Sequence, residues 1–283
     1  MTTRIALFQP TSGIDPAANA AMLVAAIDEA AAGGAEMLFT PEMSGLVDRD
    51  RTRAAQSIAS EADDRVLAAV REAAAKVGLW VHLGSLAVRR DDGRWANRGY
   101  VIDPAGGMRG RYDKIHLFDV DLPTGESWRE SASYVGGGEA VVVEGTPVGA
   151  LGLSICYDLR FPALYAALAE AGAEAVAIPA AFTVPTGEAH WQVLMRARAI
   201  ENAVFVIAAA QAGHHQDGRD TYGHSLAVDP WGRVLVELDD GGGQLAMVEI
   251  DRSQVADVRR RIPVIDHRRP IPPARVEKGS GAP

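Results

Sequence analysis

The stretch Val148–Pro162, VGALGLSICYDLRFP, contains Cys156, the one cysteine of the chain. The first half of this stretch is apolar and rich in small residues, which predicts a buried strand over Val148–Ile155. Pro162 then opens the alanine-rich run Ala163–Ala171, and proline is well tolerated in the first turn of a helix. Cys156 is therefore predicted to lie between a strand and a helix, where backbone N–H groups and the helix dipole lower the pKa of a thiol.

Two other interpretations of this stretch have to be weighed. A lone cysteine is often a small buried hydrophobic residue without chemistry. The segment from Gly152 to Cys156 also approaches the G-x-S-x-G elbow of serine hydrolases. Ser154, however, lies inside the predicted strand, and Cys156 occupies the place of the second glycine, so we reject the serine. Whether Cys156 is a nucleophile or a buried hydrophobic residue therefore depends on the residues around it.

Composition narrows the class of protein. The 283 residues carry a formal net charge of −9, which argues against a nucleic-acid or anionic-membrane surface as partner. A single cysteine forms no internal disulfide, and this fits a reducing compartment. No signal peptide is apparent, and no apolar run approaches the length that spans a membrane. We expect a soluble, cytoplasmic protein.

The first third of the chain alternates strands with helices, which predicts an α/β fold with helices packed on a sheet. The predicted elements are strands at Arg4–Gln9, Glu36–Thr40 and Leu79–Val88 and helices at Pro16–Ala32 and Glu61–Val77.

Two later segments, Asp92–Gly106 and Asp217–Gly232, both run from a DGR turn to a DPxG turn. This echo indicates either two similar halves or convergent turn chemistry. Farther on, Glu188–Asn202 is predicted to be helical. No linker divides the chain, so we expect one domain over residues 1–270 and an extended C-terminal tail over residues 271–283.

Two charged residues stand at the ends of predicted strands. Glu42 comes after the second predicted strand and Lys114 after a strand that begins at Met108. Either charge alone is compatible with a solvated loop. Sites in open α/β sheets form at strand ends, however, so Glu42, Lys114 and Cys156 are expected to meet at one edge.

Histidines supply the competing hypotheses. His116 would share a face with Lys114 on an extended segment and is an alternative base for the thiol. His214, His215 and His224 stand among glycines and charges without a ligand spacing, so no metal site is predicted.

Three motifs resemble those of one known family, in the same order along the chain. They are FTPEMSG around Glu42, RYDKIHLFDVD around Lys114 and SICYDLRFP around Cys156. Together they resemble the motifs of the nitrilase, or carbon–nitrogen hydrolase, superfamily. The resemblance implies a four-layer αββα sandwich, a Glu-Lys-Cys triad and hydrolysis of non-peptide C–N bonds without a cofactor. It also implies that Glu130, with Glu126 as the alternative, supports the lysine.

Further motifs are similar to the Nit branch of this superfamily, which contains deaminated-glutathione amidases and ω-amidases. They are TGEAHW, RARAIEN and YGHSLAVDPWG, while AAAQAGHH over Ala208–His215 is closer to the former group. The loop of residues 213–221 departs from the branch and is a candidate to face the substrate. The resemblance further implies a homodimer, or a higher homo-oligomer, stacked through the helix after Cys156.

On this basis we expect an amidase that acts on a small carboxylate-bearing amide through a cysteine thioester. Glu42 would take the thiol proton, and Lys114 with the backbone N–H of Tyr157 would stabilise the oxyanion. Arg160 would either grip a substrate carboxylate or form a salt bridge that braces its own turn. The substrate-binding candidates are Tyr157, Arg160, Phe182 and Thr183.

Three rival functions stay open at this point. Two are enzymatic: an ω-amidase for 2-oxoglutaramate-type monoamides, and an N-carbamoyl amide hydrolase. The third is a catalytically silent scaffold, against which the presence of all three triad residues argues. The expected partner is a small-molecule amide, with no nucleic acid and no membrane.

Overall fold

The computed structural model describes residues 2–121, 125 and 127–277. Strands alternate with helices along the chain, as the α/β pattern predicts. The strands are β1 (Thr2–Gln9), β2 (Met37–Phe39), β3 (Trp80–Arg89), β4 (Trp95–Ile102), β5 (Met108–Asp113), β6 (Asp119–Asp121), β7 (Ser127–Arg129), β8 (Val142–Thr146), β9 (Gly149–Leu153), β10 (Ala175–Ala177), β11 (Phe205–Ala208), β12 (Ala212–His214), β13 (Asp220–Tyr222), β14 (Leu226–Val228), β15 (Val234–Glu237) and β16 (Gln244–Asp251). The helices are α1 (Pro16–Ala32), α2 (Arg51–Ser57), α3 (Arg65–Val77), α4 (Pro162–Glu170), α5 (Val184–Asn202) and α6 (Ser253–Arg261).

Two six-stranded mixed sheets form the centre of the fold. The first has the order β16-β1-β2-β3-β4-β5, with β1, β2 and β3 parallel. The second has the order β15-β14-β11-β10-β9-β8, with β9, β10 and β11 parallel. Two short hairpins, β6–β7 and β12–β13, lie outside both sheets.

Each sheet is covered on its outer face by helices. Leu23 and Ile27 of α1 and Val70 of α3 pack with apolar residues of the first sheet in one core. A second core contains residues of both sheets together with α4 and α5. The layers are therefore helices, sheet, sheet and helices, and the expected αββα sandwich is confirmed.

Gly152 in β9 shows how tightly the second sheet and its helix approach. A Cβ at this position would lie 3.1 Å from the Leu168 side chain of α4, while the neighbouring Leu153 reaches toward Gly110 of the first sheet. Small residues in the predicted strand thus admit a helix on one face, and larger ones fill the space between the sheets.

The DGR-to-DPxG echo has a structural counterpart in each sheet. Asp103 follows β4 and Asp229 follows β14, and each carboxylate accepts hydrogen bonds from the N–H groups two and four residues further on. Each turn leads into the antiparallel neighbour, β5 or β15. The two segments therefore form corresponding hairpins of the two sheets.

The structure corrects several predicted boundaries. The helix predicted from Glu61 begins at Arg65, because Asp64 caps it by accepting from the N–H of Leu67. The helix predicted from Glu188 already begins at Val184, since Pro185 fits its first turn. The short α2 was not predicted.

No helix in the described ranges is long and apolar enough to cross a membrane. Residues 271–277 form neither helix nor strand, and residues 278–283 of the predicted tail lie outside the described residues. The domain boundary at residue 270 stays a prediction.

Candidate active site

The ends of three strands bring the predicted triad to one place. Glu42 follows β2, Lys114 follows β5 and Cys156 follows β9. β5 runs in the same direction as β2, because two antiparallel pairings separate it from the parallel β3. The two charged residues therefore leave the same edge of the first sheet, and the cysteine reaches them from the second.

Cys156 opens a short 3₁₀ turn between β9 and α4. Its φ is 50°, in the left-handed region that residues other than glycine rarely adopt. Its N–H donates to the carbonyl of Pro179 at 2.9 Å. A non-glycine residue keeps such a conformation only where its surroundings enforce it, which is a common property of functional residues.

Asp158 holds this turn in place from within. Its buried carboxylate accepts hydrogen bonds from the N–H of Ile155 at 2.9 Å and from the hydroxyl of Tyr112 at 2.7 Å. It also accepts from the backbone of His116 at 3.0 Å and lies 2.7 Å from Nδ1 of the same residue. The ring of His116 stacks on Phe161, 3.5 Å between centroids. His116, the alternative base, is thus committed to Asp158 and does not line the cavity that contains Cys156.

Glu42, Lys114 and Glu130 form a buried charge cluster beside the thiol. Lys114 Nζ donates to Glu42 Oε1 and to Glu130 Oε2, both at 2.9 Å. The Cys156 thiol lies beside the Glu42 carboxylate, whose Oε2 accepts from the N–H of Ala181 at 2.9 Å. Glu42, Lys114 and Cys156 are 5%, 2% and 7% exposed. Glu126, the alternative to Glu130, lies outside the described residues.

The electrostatics of the cluster set the protonation states at rest. Burial by itself raises the pKa of Glu42, but the Lys114 cation and the hydrogen bonds to the carboxylate overcome this and lower it. Burial opposes the charge of Lys114, but Glu130 and Glu42 raise the pKa of the ammonium well above its usual value. The resting cluster therefore contains a carboxylate and an ammonium.

The pKa of the Cys156 thiol differs from the expectation. Burial and the neighbouring Glu42 charge raise the pKa of Cys156 well above the usual thiol value, although Lys114 acts in the other direction. The predicted lowering by the helix dipole was wrong, because desolvation and a nearby negative charge outweigh it. The thiol is neutral at rest and needs a base, and Glu42 is in contact with it.

Asn97, which the sequence reasoning missed, connects the two carboxylates of the cluster. Its Nδ2 donates to Glu42 Oε1 at 2.9 Å and to Glu130 Oε1 at 3.1 Å. Its Oδ1 is buried and has no hydrogen-bond partner among the described residues. An unsatisfied buried acceptor costs stability, so the benefit of an asparagine here lies in its two donors. The sequence contains no clear signal for it, because Asn97 stands next to the charged Arg98 in β4.

A cavity of about 420 Å³ has this cluster in its wall. All eight candidate residues line it: Glu42, Lys114, Glu130, Cys156, Tyr157, Arg160, Phe182 and Thr183. In the described part of the chain, the backbone N–H of Tyr157 makes no hydrogen bond. A free N–H directly after Cys156 is suited to donate to an oxyanion.

Arg160 forms no ion pair with any described residue. Its Nη1 and Nη2 lie 3.3 Å from Nδ1 of His190, and its guanidinium lies 5.7 Å from the centre of the Phe182 ring. Because arginine only donates, His190 Nδ1 is the acceptor. The salt bridge offered as the alternative role of Arg160 is not seen, and the turn is instead braced by Asp158.

Two further polar residues that the sequence analysis considered, Ser154 and His215, form hydrogen bonds within the protein. Ser154 is buried and donates to the carbonyl of Ala177 at 2.9 Å, away from the cavity. His215 is buried between the carbonyl of Ser12 and the hydroxyl of Thr221. Within the described ranges, no group of three or more His, Cys, Asp or Glu residues is placed to hold a metal ion.

Comparisons with known proteins give a family match and several relatives. A family model described as carbon-nitrogen hydrolase matches residues 4–260. The deaminated glutathione amidase of Yersinia enterocolitica is 39% identical over 268 residues, which are 94% of this chain and 92% of that protein.

Two solved structures resemble the fold closely. The NitFhit protein of Caenorhabditis elegans superposes with a TM-score of 0.87 at 38% identity, over 95% of this chain and 65% of that one. A mutant of the amidase from Nesterenkonia sp. AN1 superposes with a TM-score of 0.77 at 27% identity, over 92% of this chain and 98% of that one. The latter structure shows acrylamide added at the active-site cysteine of that amidase.

Proposed function

This chain belongs to the carbon–nitrogen hydrolase family, and we propose that it hydrolyses a small carboxylate-bearing amide of the deaminated-glutathione type through a thioester on Cys156. The observation that carries the proposal is the contact of Glu42 with both the Cys156 thiol and Lys114 in the wall of one cavity. The adduct at the active-site cysteine of the Nesterenkonia amidase supports the same role for Cys156.

The first half-reaction forms the thioester. Glu42, which is ionised at rest, takes the thiol proton while Cys156 Sγ bonds to the amide carbonyl carbon. The oxyanion that develops is stabilised by Lys114 and by the backbone N–H of Tyr157. The C–N bond then breaks, and the amine leaves with the proton that Glu42 holds.

The second half-reaction uses the same groups in reverse. Glu42 takes a proton from water, the hydroxide oxygen bonds to the thioester carbonyl, and the C–S bond breaks. The thiolate recovers the proton from Glu42, and the free acid is released. Lys114 stays a cation throughout, because Glu130 keeps its pKa high even while Glu42 carries a proton. Glu130 and Asn97 fix the position of this charge.

The substrate class rests on the relatives and on the cavity. The relative from Yersinia is named a deaminated glutathione amidase. Arg160 shares the cavity with Cys156 and has no carboxylate partner among the described residues, so it is suited to bind a substrate carboxylate. Phe182 and Thr183 would contact the chain between that carboxylate and the amide.

We also propose a homodimer that stacks through α4 and α5. Val193 and Ile200 are exposed on one face of α5, and Trp231 is exposed close to Ile200. An exposed apolar patch of this kind favours association. Whether larger assemblies form, whether the protein is cytoplasmic and whether it works without metal or cofactor stay predictions.

A product assay with the purified protein tests this function. We expect hydrolysis of deaminated glutathione with a higher kcat/KM than that of 2-oxoglutaramate or an N-carbamoyl amino acid. Faster hydrolysis of 2-oxoglutaramate would reassign the enzyme as an ω-amidase. The proposal would be contradicted if the protein turned over none of the three while a thermal unfolding measurement showed that it was folded.

A further inference from the structure

The rim of the cavity contains a contact between two hairpins that are distant in sequence. Arg219 precedes β13, and Trp128 lies in β7. The guanidinium carbon of Arg219 lies 4.9 Å from the centre of the Trp128 ring. Both residues line the cavity that contains Cys156. The rim loop, which we define as residues 213–221, is therefore part of the site.

Asp217 fixes the position of the Arg219 side chain. Its side chain is fully buried, and its Oδ2 accepts from Arg219 Nε at 2.8 Å and from the backbone of Arg49 at 2.8 Å. Its Oδ1 accepts from the backbone of Arg219 at 3.1 Å. The side chain of Arg219 is 18% exposed and is held by these contacts before any ligand binds.

The hydrogen bonds of Arg219 leave one edge of its guanidinium unused. Nε donates to Asp217, but Nη1 and Nη2 make no hydrogen bond with any described residue. Arg129, which also lines the cavity, differs: its Nη groups are bonded to both oxygens of Asp121 and to backbone carbonyls. An Nη1–Nη2 pair on a fixed arginine matches the two oxygens of a carboxylate.

Arg49 and Arg51 also line the cavity and keep N–H groups unbonded among the described residues, but both are exposed, whereas Arg160 and Arg219 are half-buried and lie on different elements. Arg160 belongs to the same turn as Cys156, and Arg219 is presented by the rim loop. A substrate with one carboxylate near the scissile amide would use Arg160. The Nη1–Nη2 pair of Arg219 would bind such a substrate only if it carried another acidic group farther along its length.

We propose that Arg219 binds a second substrate carboxylate, remote from the scissile amide, and so makes the enzyme selective for extended diacids. This inference rests on the proposed amidase function. Deaminated glutathione fits it chemically, because it has a carboxylate at each end and amide bonds between them. A short monoacid amide would leave Arg219 unused.

The experiment pairs one change in the protein with one change in the ligand. The ligands are deaminated glutathione and its analogue with a carboxamide in place of the glycine carboxylate. The proteins are the wild type, Arg219→Gln, Arg219→Lys and the control Arg65→Gln, which removes the same charge from the exposed start of α3. We expect Arg219→Gln to raise KM for the diacid about 10- to 100-fold, with little change in kcat and little change for the carboxamide.

Arg219→Lys should recover part of this loss, because it keeps the charge without the fork. The wild type itself should prefer the diacid by a similar factor, which tests the inference even if Arg219→Gln does not fold. Equal effects of Arg219→Gln on both ligands, or a wild type that does not distinguish them, would overturn it.

A binding measurement separates this inference from the proposed function. Calorimetry with both ligands on Cys156→Ala and on the Cys156→Ala, Arg219→Gln double variant needs no catalysis. We expect Arg219→Gln to weaken binding of the diacid only. If the wild type hydrolyses neither ligand but this selective loss is found, the proposed reaction fails and Arg219 keeps its role. No selective loss would refute the role of Arg219, whatever the activity.

Discussion

Two parts of the cavity wall differ in how much of their hydrogen bonding is already satisfied within the protein: the floor, formed by the charge cluster and Cys156, and the rim, which includes Arg160 and Arg219. On the floor, Glu42 and Lys114 are almost completely buried, and each contacts several groups of the cluster. On the rim, Arg160 and Arg219 are partly exposed and keep N–H groups that no described carboxylate uses. In the proposed reaction, the floor carries the chemistry and the rim binds the charged groups of the substrate.

We expect the largest effect from removal of the nucleophile on the floor. Cys156→Ala should lower kcat by roughly 10⁴-fold or more, because the covalent step has no substitute. The thermal unfolding temperature should change little, since the change removes one sulfur atom. Appreciable amidase activity in the folded variant would show that Cys156 is not the nucleophile.

Glu42→Gln should have the next largest effect. The amide cannot accept the thiol proton, and the pKa of Cys156 is raised, so kcat should fall by about 10²–10⁴-fold. A steady-state assay over a range of pH is the measurement. Because the pKa of Glu42 is lowered, wild-type kcat/KM should persist at neutral pH and fall only as pH drops below the ordinary carboxyl range. Normal turnover by Glu42→Gln would show that Glu42 is not the base.

Asn97→Leu tests whether the connection between the two carboxylates matters. Loss of its hydrogen bonds should lower kcat/KM about 10- to 100-fold at neutral pH. Without its donor the pKa of Glu42 rises, so the acid limb of the pH profile should move to higher pH.

The matched control is Tyr100→Phe. It removes another buried polar atom of β4 that has no partner among the described residues, on the face toward the outer helices. Tyr100→Phe should leave the pH profile unchanged. If Asn97→Leu lowers the unfolding temperature and leaves the acid limb in place, Asn97 is structural only.

The smallest expected effect comes from the rim. Arg160→Lys keeps the charge and loses the fork, so acidic amides should lose about 1–3 kcal/mol in kcat/KM while matched neutral amides lose little. Thermal stability should stay the same, because Asp158 and not Arg160 holds the turn. Equal losses on an acid–amide substrate pair would refute the binding role.

The residues of the floor were predictable because each follows a recognisable strand end. Apolar strands before Glu42 and Cys156 and a predicted strand before Lys114 indicate their places, and the family resemblance adds Glu130. The direction of the thiol pKa was not predictable, since the pattern indicates the helix but not the depth of burial or the contact with Glu42.

The loop of residues 213–221 was predicted to face the substrate, but the contact of Arg219 with Trp128 and the role of Asn97 could not be predicted from the sequence. Asn97 acts through two hydrogen bonds to residues far away in the chain, and nothing in its neighbours indicates that geometry. The contact of Arg219 with Trp128 depends on how two separate hairpins pack. The short α2 has no apolar periodicity that could have predicted it.

The central claim is that Cys156 carries the acyl group between the two half-reactions. Intact-protein mass spectrometry after rapid acid quench of wild-type turnover tests it directly. We predict a transient mass increase equal to the substrate acyl group, mapped to the peptide that contains Cys156 and absent in Cys156→Ala. An acyl group mapped to another residue, or full turnover by Cys156→Ala, would contradict the account.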